Sequence, residues 1–138
     1  MEHTLAIIKP NAVKTGYTGR VLSRIEDFEF TMEAIRLLQL STEDAEEFYA
    51  VHQQRPFFPS LIEFMSSGPI VPLVLQKTDA VTEFRKAIGA TDPEEAGEGT
   101  IRRLYGESKE RNTIHGSDSN ENARIEIEFF FPGFFASI

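Results

Sequence analysis

Cysteine is absent from this chain of 138 residues. That excludes a disulfide framework, thiolate zinc sites and a cysteine nucleophile, and it fits a reducing cytoplasm as the expected setting. Positive charge is scarce: 14 Lys and Arg stand against 22 Asp and Glu, a formal net charge of -8. Such a surface repels phosphate backbones and anionic headgroups, so neither nucleic-acid binding nor membrane-surface binding is expected. No run approaches the roughly 18 to 20 apolar residues of a membrane span. The N-terminal MEHTLAIIKP places an acid before a short apolar run, so no export signal is expected either. The length suits one domain around one core, expected over residues 1–138.

What is present divides into short apolar runs and segments of helical spacing. His3 to Lys9 reads as a buried strand that Pro10 ends, with Lys9 at its tip. Val21, Leu22, Ile25 and Phe28 recur at helical spacing. Phe30 to Leu40 predicts a second strand with a bulge, and Ser41 with Asp44 marks the start of a helix from Thr42 to His52. A second helix from Pro59 to Ser66 completes a helical hairpin, stopped by Gly68 and Pro69. Ile70 to Gln76 reads as a buried strand that Pro72 should disturb locally, because proline lacks a ladder donor. Asp79 is placed to cap a helix from Ala80 to Ile88, ended by Gly89. The polar stretch 89–111 reads as a long functional loop. Thr113 to His115 can form a short last strand, and Ser119 to Phe131 a final helix. The order predicts an α+β fold, a ferredoxin-like sandwich in which helices cover a four-stranded antiparallel sheet (βαββαβ with an inserted helical hairpin).

Five of the twelve phenylalanines stand at 129, 130, 131, 134 and 135. So apolar a tail either packs on its own core or meets another subunit, and self-association is the default expectation.

Three histidines serve the whole chain, and one of them stands in NTIHGSD, residues 112–118. Ser117 and Asp118 precede the last helix, whose N-terminus favours a bound anion. An imidazole there meets a phosphate and is a nucleophile near neutral pH without a large pKa shift. A Ser-His-Asp triad is disfavoured because residues 115, 117 and 118 are too close along the chain for its geometry. A metal site from His115, Asp118 and Glu126 lacks a second histidine or a thiolate. A hydrogen-bonded turn histidine remains open from this heptapeptide alone. Phosphoryl transfer also requires cations, and Lys9, Arg55, Arg85 and Arg102 stand near element ends, where each taken singly also suits a solvated surface.

NTIHGSD together with IIKPNAV, RPFF, FMSSGPIV, GATDP and GTIR, in that order, resembles the nucleoside diphosphate kinase family from about Thr4 to Phe130. The resemblance implies a ping-pong exchange in which a nucleoside triphosphate, bound with Mg²⁺, gives its γ-phosphoryl group to His115 and a nucleoside diphosphate then takes it. It further implies that Lys9, Tyr49, Arg85, Thr91, Arg102 and Asn112 hold phosphates, ribose or the transferring group. Lys9 and Asn112 would face the sugar hydroxyls and γ-phosphate, while Arg85, Thr91 and Arg102 would cradle the β-phosphate region. Phe57 matches the aromatic on which the base stacks, and Glu126 with Ser117 the pair that orients the histidine. His3 and His52 match no catalytic position. A homo-oligomer is implied, a tetramer or hexamer built from dimers. A relative that binds nucleotide without turnover, or one that passes phosphate from His115 to a protein, is the alternative.

The scaffold departs from the family pattern at several positions. Glu29 stands where a glycine suited to positive φ is common, and Pro72 replaces a β-former. Gln76 and Lys77 stand where an acid and a glycine are frequent, and Arg103 where a small residue is. Lys109 sits near a place where an apolar side chain usually meets the base, which its aliphatic stem could still cover.

Overall fold

The apolar residues after the N-terminus form β1 (Glu2–Ile8) at the centre of the sheet. In this computed structural model residues 2–138 are described, and Met1, the first residue of the expected domain, lies outside them. The elements that follow are α1 (Pro10–Thr15), α2 (Thr18–Asp27), β2 (Thr31–Ile35), α3 (Thr42–Phe48), α4 (Phe58–Met65), β3 (Val71–Lys77), α5 (Ala80–Ile88), α6 (Ile101–Tyr105), β4 (Ile114–Gly116) and α7 (Asn120–Phe130). The strand order is β2-β3-β1-β4 and every pairing is antiparallel. This is a ferredoxin-like α+β fold, with α3 and α4 inserted as a hairpin between β2 and β3.

Alternation along β1 builds two cores. Ala6 and Ile8 join Val21 and Ile25 of α2, Phe84 and Ile88 of α5 and Ile101 of α6 on one face. Leu5 and Ile7 join Ala45 of α3, Leu61, Ile62, Phe64 and Met65 of α4 and Ile127 of α7 on the other. Helices therefore cover both faces, and a one-residue slip of β1 would exchange its two sets of side chains between the cores.

Several local expectations are corrected. Pro10 does not merely end β1 but opens α1, which the periodicity had not indicated. Proline presets φ for a first helical turn, where its missing N–H is unneeded. Asp79 occupies the position before α5 at φ 54°, a left-handed backbone, and its side chain makes no cap bond. Stretch 89–111 contains α6, whose start is capped by Thr100 Oγ1, the acceptor from Arg103 N–H at 3.4 Å. The helix expected to reach His52 ends at Phe48 and continues as a 3-10 turn, Ala50–His52. The last strand begins at Ile114, because Thr113 has φ 77°.

Strand β3 runs unbroken through Pro72, which pairs with Ile7. The irregularity falls on its edge partner: Arg36 N–H donates to the Pro72 carbonyl at 3.1 Å, and proline has no donor to return. Strand β2 ends at Ile35, and pairing resumes only at the Leu38–Ile70 bridge. The bulge expected in β2 lies between Met32 and Ala34. Ser41 caps α3 as read, accepting from Asp44 N–H at 3.0 Å. In the phenylalanine tail Phe130 is buried in the second core, and Phe129, Phe131, Phe134 and Phe135 pack against it.

Candidate active site

The Ile114 side chain packs with α5 and a Cβ on Gly116 would point the same way, so period-2 alternation turns His115 to the opposite face, toward α3 and α7. Gly116 is required there by space: a Cβ on it would stand 2.9 Å from the Phe84 ring. The His115 ring meets the edge of Phe48 at 5.8 Å, and its Nε2 lies 2.8 Å from Glu126 Oε1 on α7. The same carboxylate oxygen accepts from Ser117 Oγ at 2.7 Å, and Ser117 Oγ accepts from Leu5 N–H at 3.2 Å. An ionised carboxylate is acceptor-only, so the proton lies on Nε2 and the Nδ1 lone pair is free.

His115 and Glu126 form part of the wall of a cavity of about 460 Å³ that lies between α3, α7 and the segment running from α5 to α6. Arg85, Thr91, Arg102 and Tyr49 also line it. Lys9, Asn112, Ser117 and Phe57 do not line the cavity but adjoin it. Asn112 Nδ2 donates to the Thr91 carbonyl at 3.1 Å, and the Phe57 ring packs 5.6 Å from His52, which is on the wall. Arg55 and Lys109 are exposed and line no part of it.

Charge and burial set the character of this place. Lys9 is 8% exposed and its ammonium is pulled down to about 7, chiefly by desolvation and then by the positive Arg102, with Glu110 opposing. Arg102 is lowered to about 10 by burial and by Arg85. It gives Nη1 to the Gly89 carbonyl at 3.0 Å and Nη2 to the Ile114 carbonyl at 2.8 Å. Tyr49 is raised above the ordinary phenol value, first by burial and then by Glu126. Tyr49 OH, Arg102 Nε and Asn112 Oδ1 are buried without a partner among the described residues. Each such atom costs roughly 1–3 kcal/mol unless a ligand satisfies it. The N-terminus of α7, read earlier as the anion site, is already partly occupied by Ser119 Oγ, which accepts from Asn122 N–H at 3.0 Å. The cations dominate instead.

Reading the sequence missed Phe48, His52 and Ile125 on the wall. Phe48 and His52 belong to α3 and the turn after it, and helical periodicity marks such residues as core without distinguishing a cavity wall from an interior.

A family model described as nucleoside diphosphate kinase matches residues 2–134. The nucleoside diphosphate kinase of Prosthecochloris aestuarii is 56% identical over 131 residues, which are 95% of this chain and 93% of that protein. Among solved structures, the nucleoside diphosphate kinase of Aquifex aeolicus superposes with a TM-score of 0.93 at 46% identity, covering 96% of each chain. A halophilic one from Halobacterium salinarum, in complex with CDP, gives 0.90 at 37%, covering 95% of this chain and 88% of that one. A likeness at this identity, running from the first strand through the last helix and including the strand that bears His115, means that the chain belongs to the nucleoside diphosphate kinase family, enzymes that transfer phosphate between nucleotides.

Proposed function

We propose that His115 Nδ1 is the phosphoryl carrier of a ping-pong exchange between a nucleoside triphosphate, typically ATP, and a nucleoside diphosphate. The observation that carries this reading is the chain Leu5 N–H, Ser117 Oγ, Glu126 Oε1, His115 Nε2, which leaves Nδ1 free on a cavity wall shared with Arg85 and Arg102. In the first half-reaction Nδ1 forms a bond to the γ-phosphorus while the bond to the β,γ-bridging oxygen breaks, releasing the diphosphate. In the second, a terminal oxygen of the incoming diphosphate forms the new P–O bond and the P–N bond breaks. Glu126 offsets the positive charge that the imidazole gains when Nδ1 bonds to phosphorus and gives up when the P–N bond breaks.

The remaining roles follow from donor chemistry. Phosphate oxygens only accept, which suits Arg102 Nε, Arg85 and Lys9, whereas Asn112 Oδ1 accepts and so suits a sugar hydroxyl. Tyr49 OH suits either, and Thr91 lies between α5 and α6 beside the β-phosphate region. Phe57 stands beyond His52, where a base can stack without readout of its edges. The Halobacterium salinarum relative was solved with CDP, a nucleoside diphosphate, which supports the substrate class.

Among the described residues no group of three or more His, Cys, Asp or Glu is arranged to hold a metal. The cavity suits Mg²⁺ that arrives on the nucleotide phosphates, with Asp118 the wall carboxylate beside the HGS segment. Bound there, the cation neutralises phosphate charge.

In this reading residues 1–138 act as one domain in the cytoplasm, and no described helix is long and apolar enough to cross a membrane. Copies assemble, as tetramer or hexamer built from dimers. Ile35 and Leu37, 50% and 70% exposed at the open edge of the sheet, support an assembly that sedimentation will measure.

Incubation with γ-labelled ATP and Mg²⁺ tests the carrier. An acid-labile label on wild type but not on His115→Ala, discharged to GTP when GDP is added, is the expected result. Nucleotide bound without label would replace it with a non-catalytic binding module, and discharge onto a protein rather than GDP with a phosphotransfer partner.

A further inference from the structure

Thr113 stands between Asn112 and the strand that carries His115, with φ 77°. Ile114 N–H donates to the Asn112 carbonyl across it at 2.9 Å, so residues 112–114 form a γ-turn of the rare positive-φ hand. On a β-branched residue this backbone is an outlier, and it persists only where the surroundings over-determine it.

Those surroundings are hydrogen bonds from the far end of the sequence. Asn11, on α1, is 5% exposed. Its Nδ2 lies 3.1 Å from Thr113 Oγ1, 3.1 Å from the Arg111 carbonyl and 3.0 Å from Glu107 Oε2. The Thr113 hydroxyl in turn donates a hydrogen bond to the Tyr105 carbonyl, at the end of α6, at 2.7 Å. Three groups of the phosphoryl site hang on the turn so held. Lys9 N–H donates to the Thr113 carbonyl at 2.8 Å, Asn112 is the turn's first residue, and Arg102 Nη2 donates to the Ile114 carbonyl at 2.8 Å.

We infer that Asn11 is a positioning residue for phosphoryl transfer: it lies outside the cavity and, by clamping the left-handed turn at Thr113, sets Lys9, Asn112 and Arg102 relative to His115. Misplacing such groups by an ångström slows the chemical step far more than it weakens nucleotide binding, which the base stack and the groups outside the turn still hold. The inference rests on His115 as carrier.

Its test compares full-length Asn11→Leu, which keeps bulk and removes the donors, with Thr113→Val, which keeps the β-branch and removes the hydroxyl. Each variant is assayed well below its own thermal midpoint. The single-turnover rate of His115 labelling at saturating ATP is expected to fall about tenfold or more in each, with KM for nucleotide within about threefold of wild type. The double variant is expected to be no more than about threefold slower than the worse single, because both changes cut one link. Asn11→Asp, which keeps the shape and exchanges donors for acceptors, is expected to be as slow and gives the answer should Asn11→Leu not fold. Wild-type labelling in a folded Asn11 variant, or losses that multiply in the double, would overturn the inference. Absence of label on wild type would overturn the carrier assignment with it.

Discussion

Lys9 is a cation enclosed by protein with no ion pair among the described residues, and burial and Arg102 hold it near 7 against an ordinary 10.5. The unfolded chain then binds more protons than the folded one between about pH 7 and 10.5, so stability of the nucleotide-free protein rises with pH across that window. A bound phosphate favours the charged ammonium and raises the value again. Binding of ADP at pH 8 therefore draws in close to one proton that it does not draw in at pH 6, and Lys9→Met removes the difference. Calorimetry in buffers of unlike ionisation enthalpy measures it. Glu29 shares a left-handed backbone with Asp79 and Thr113, at φ 66° just past α2, where the sequence already marked a glycine position. Glu29→Gly is expected to stabilise by about 0.5–1 kcal/mol in urea denaturation, the left-handed penalty of a side chain less the entropy of a freer unfolded chain. Lys9 was visible as a strand-tip residue; its lowered pKa was not, because desolvation depends on what α6 and the loop before β4 bring over it.

Elements were legible where periodicity or a cap declares them and illegible where tertiary contacts override the local signal. Ser41, Gly89 and the apolar run of β1 declare themselves. Helix α6 does not, since five residues with Arg102, Arg103 and Tyr105 look like loop until Ile101 finds the first core. Lys77, a departure in sequence, has a clear place: its Nζ donates to the Phe28 carbonyl at 2.6 Å, at the C-terminus of α2. Pro72 shows how one strand's defect is exported to its neighbour, since β3 keeps its register with β1 while β2 stops short. Strand β4 has only three residues, and its seating against α5 leaves no room for a methyl group at Gly116. Gly116→Ala is expected to cost about 1–3 kcal/mol through overpacking against Phe84, and to slow labelling of His115 because the strand must shift. Denaturant titration and the label assay read the two effects separately.

Across the whole molecule, the two central strands serve both cores, β1 with Ala6 and Ile8 in one and Leu5 and Ile7 in the other, β3 with Leu73 and Leu75 in the first and Val74 in the second. Neither layer can open without exposing the other's half of β1, so calorimetry is expected to show a single unfolding transition; two resolved transitions would mean that the layers fold independently. The phenylalanine tail belongs to this cooperativity: the rings of Phe134 and Phe135 meet His3 at 5.4 and 5.7 Å, and the Arg124 guanidinium lies 4.3 Å from the Phe135 ring centre. A net charge of -8 coexists with Lys9, Arg85 and Arg102 near one cavity, which composition averages away. By itself the sequence determined the order of the four strands and of the long helices and the family, since these reside in short contiguous motifs and in periodicities of two and 3.6, while α1 and α6 were not legible in it. Only the tertiary structure decided which imidazole nitrogen is free, why a buried lysine sheds its proton near neutrality, and that Asn11 holds Thr113 across 102 positions of chain. Those depend on groups far apart in sequence, and the pairing of β1 with β4 brings them within hydrogen-bond distance.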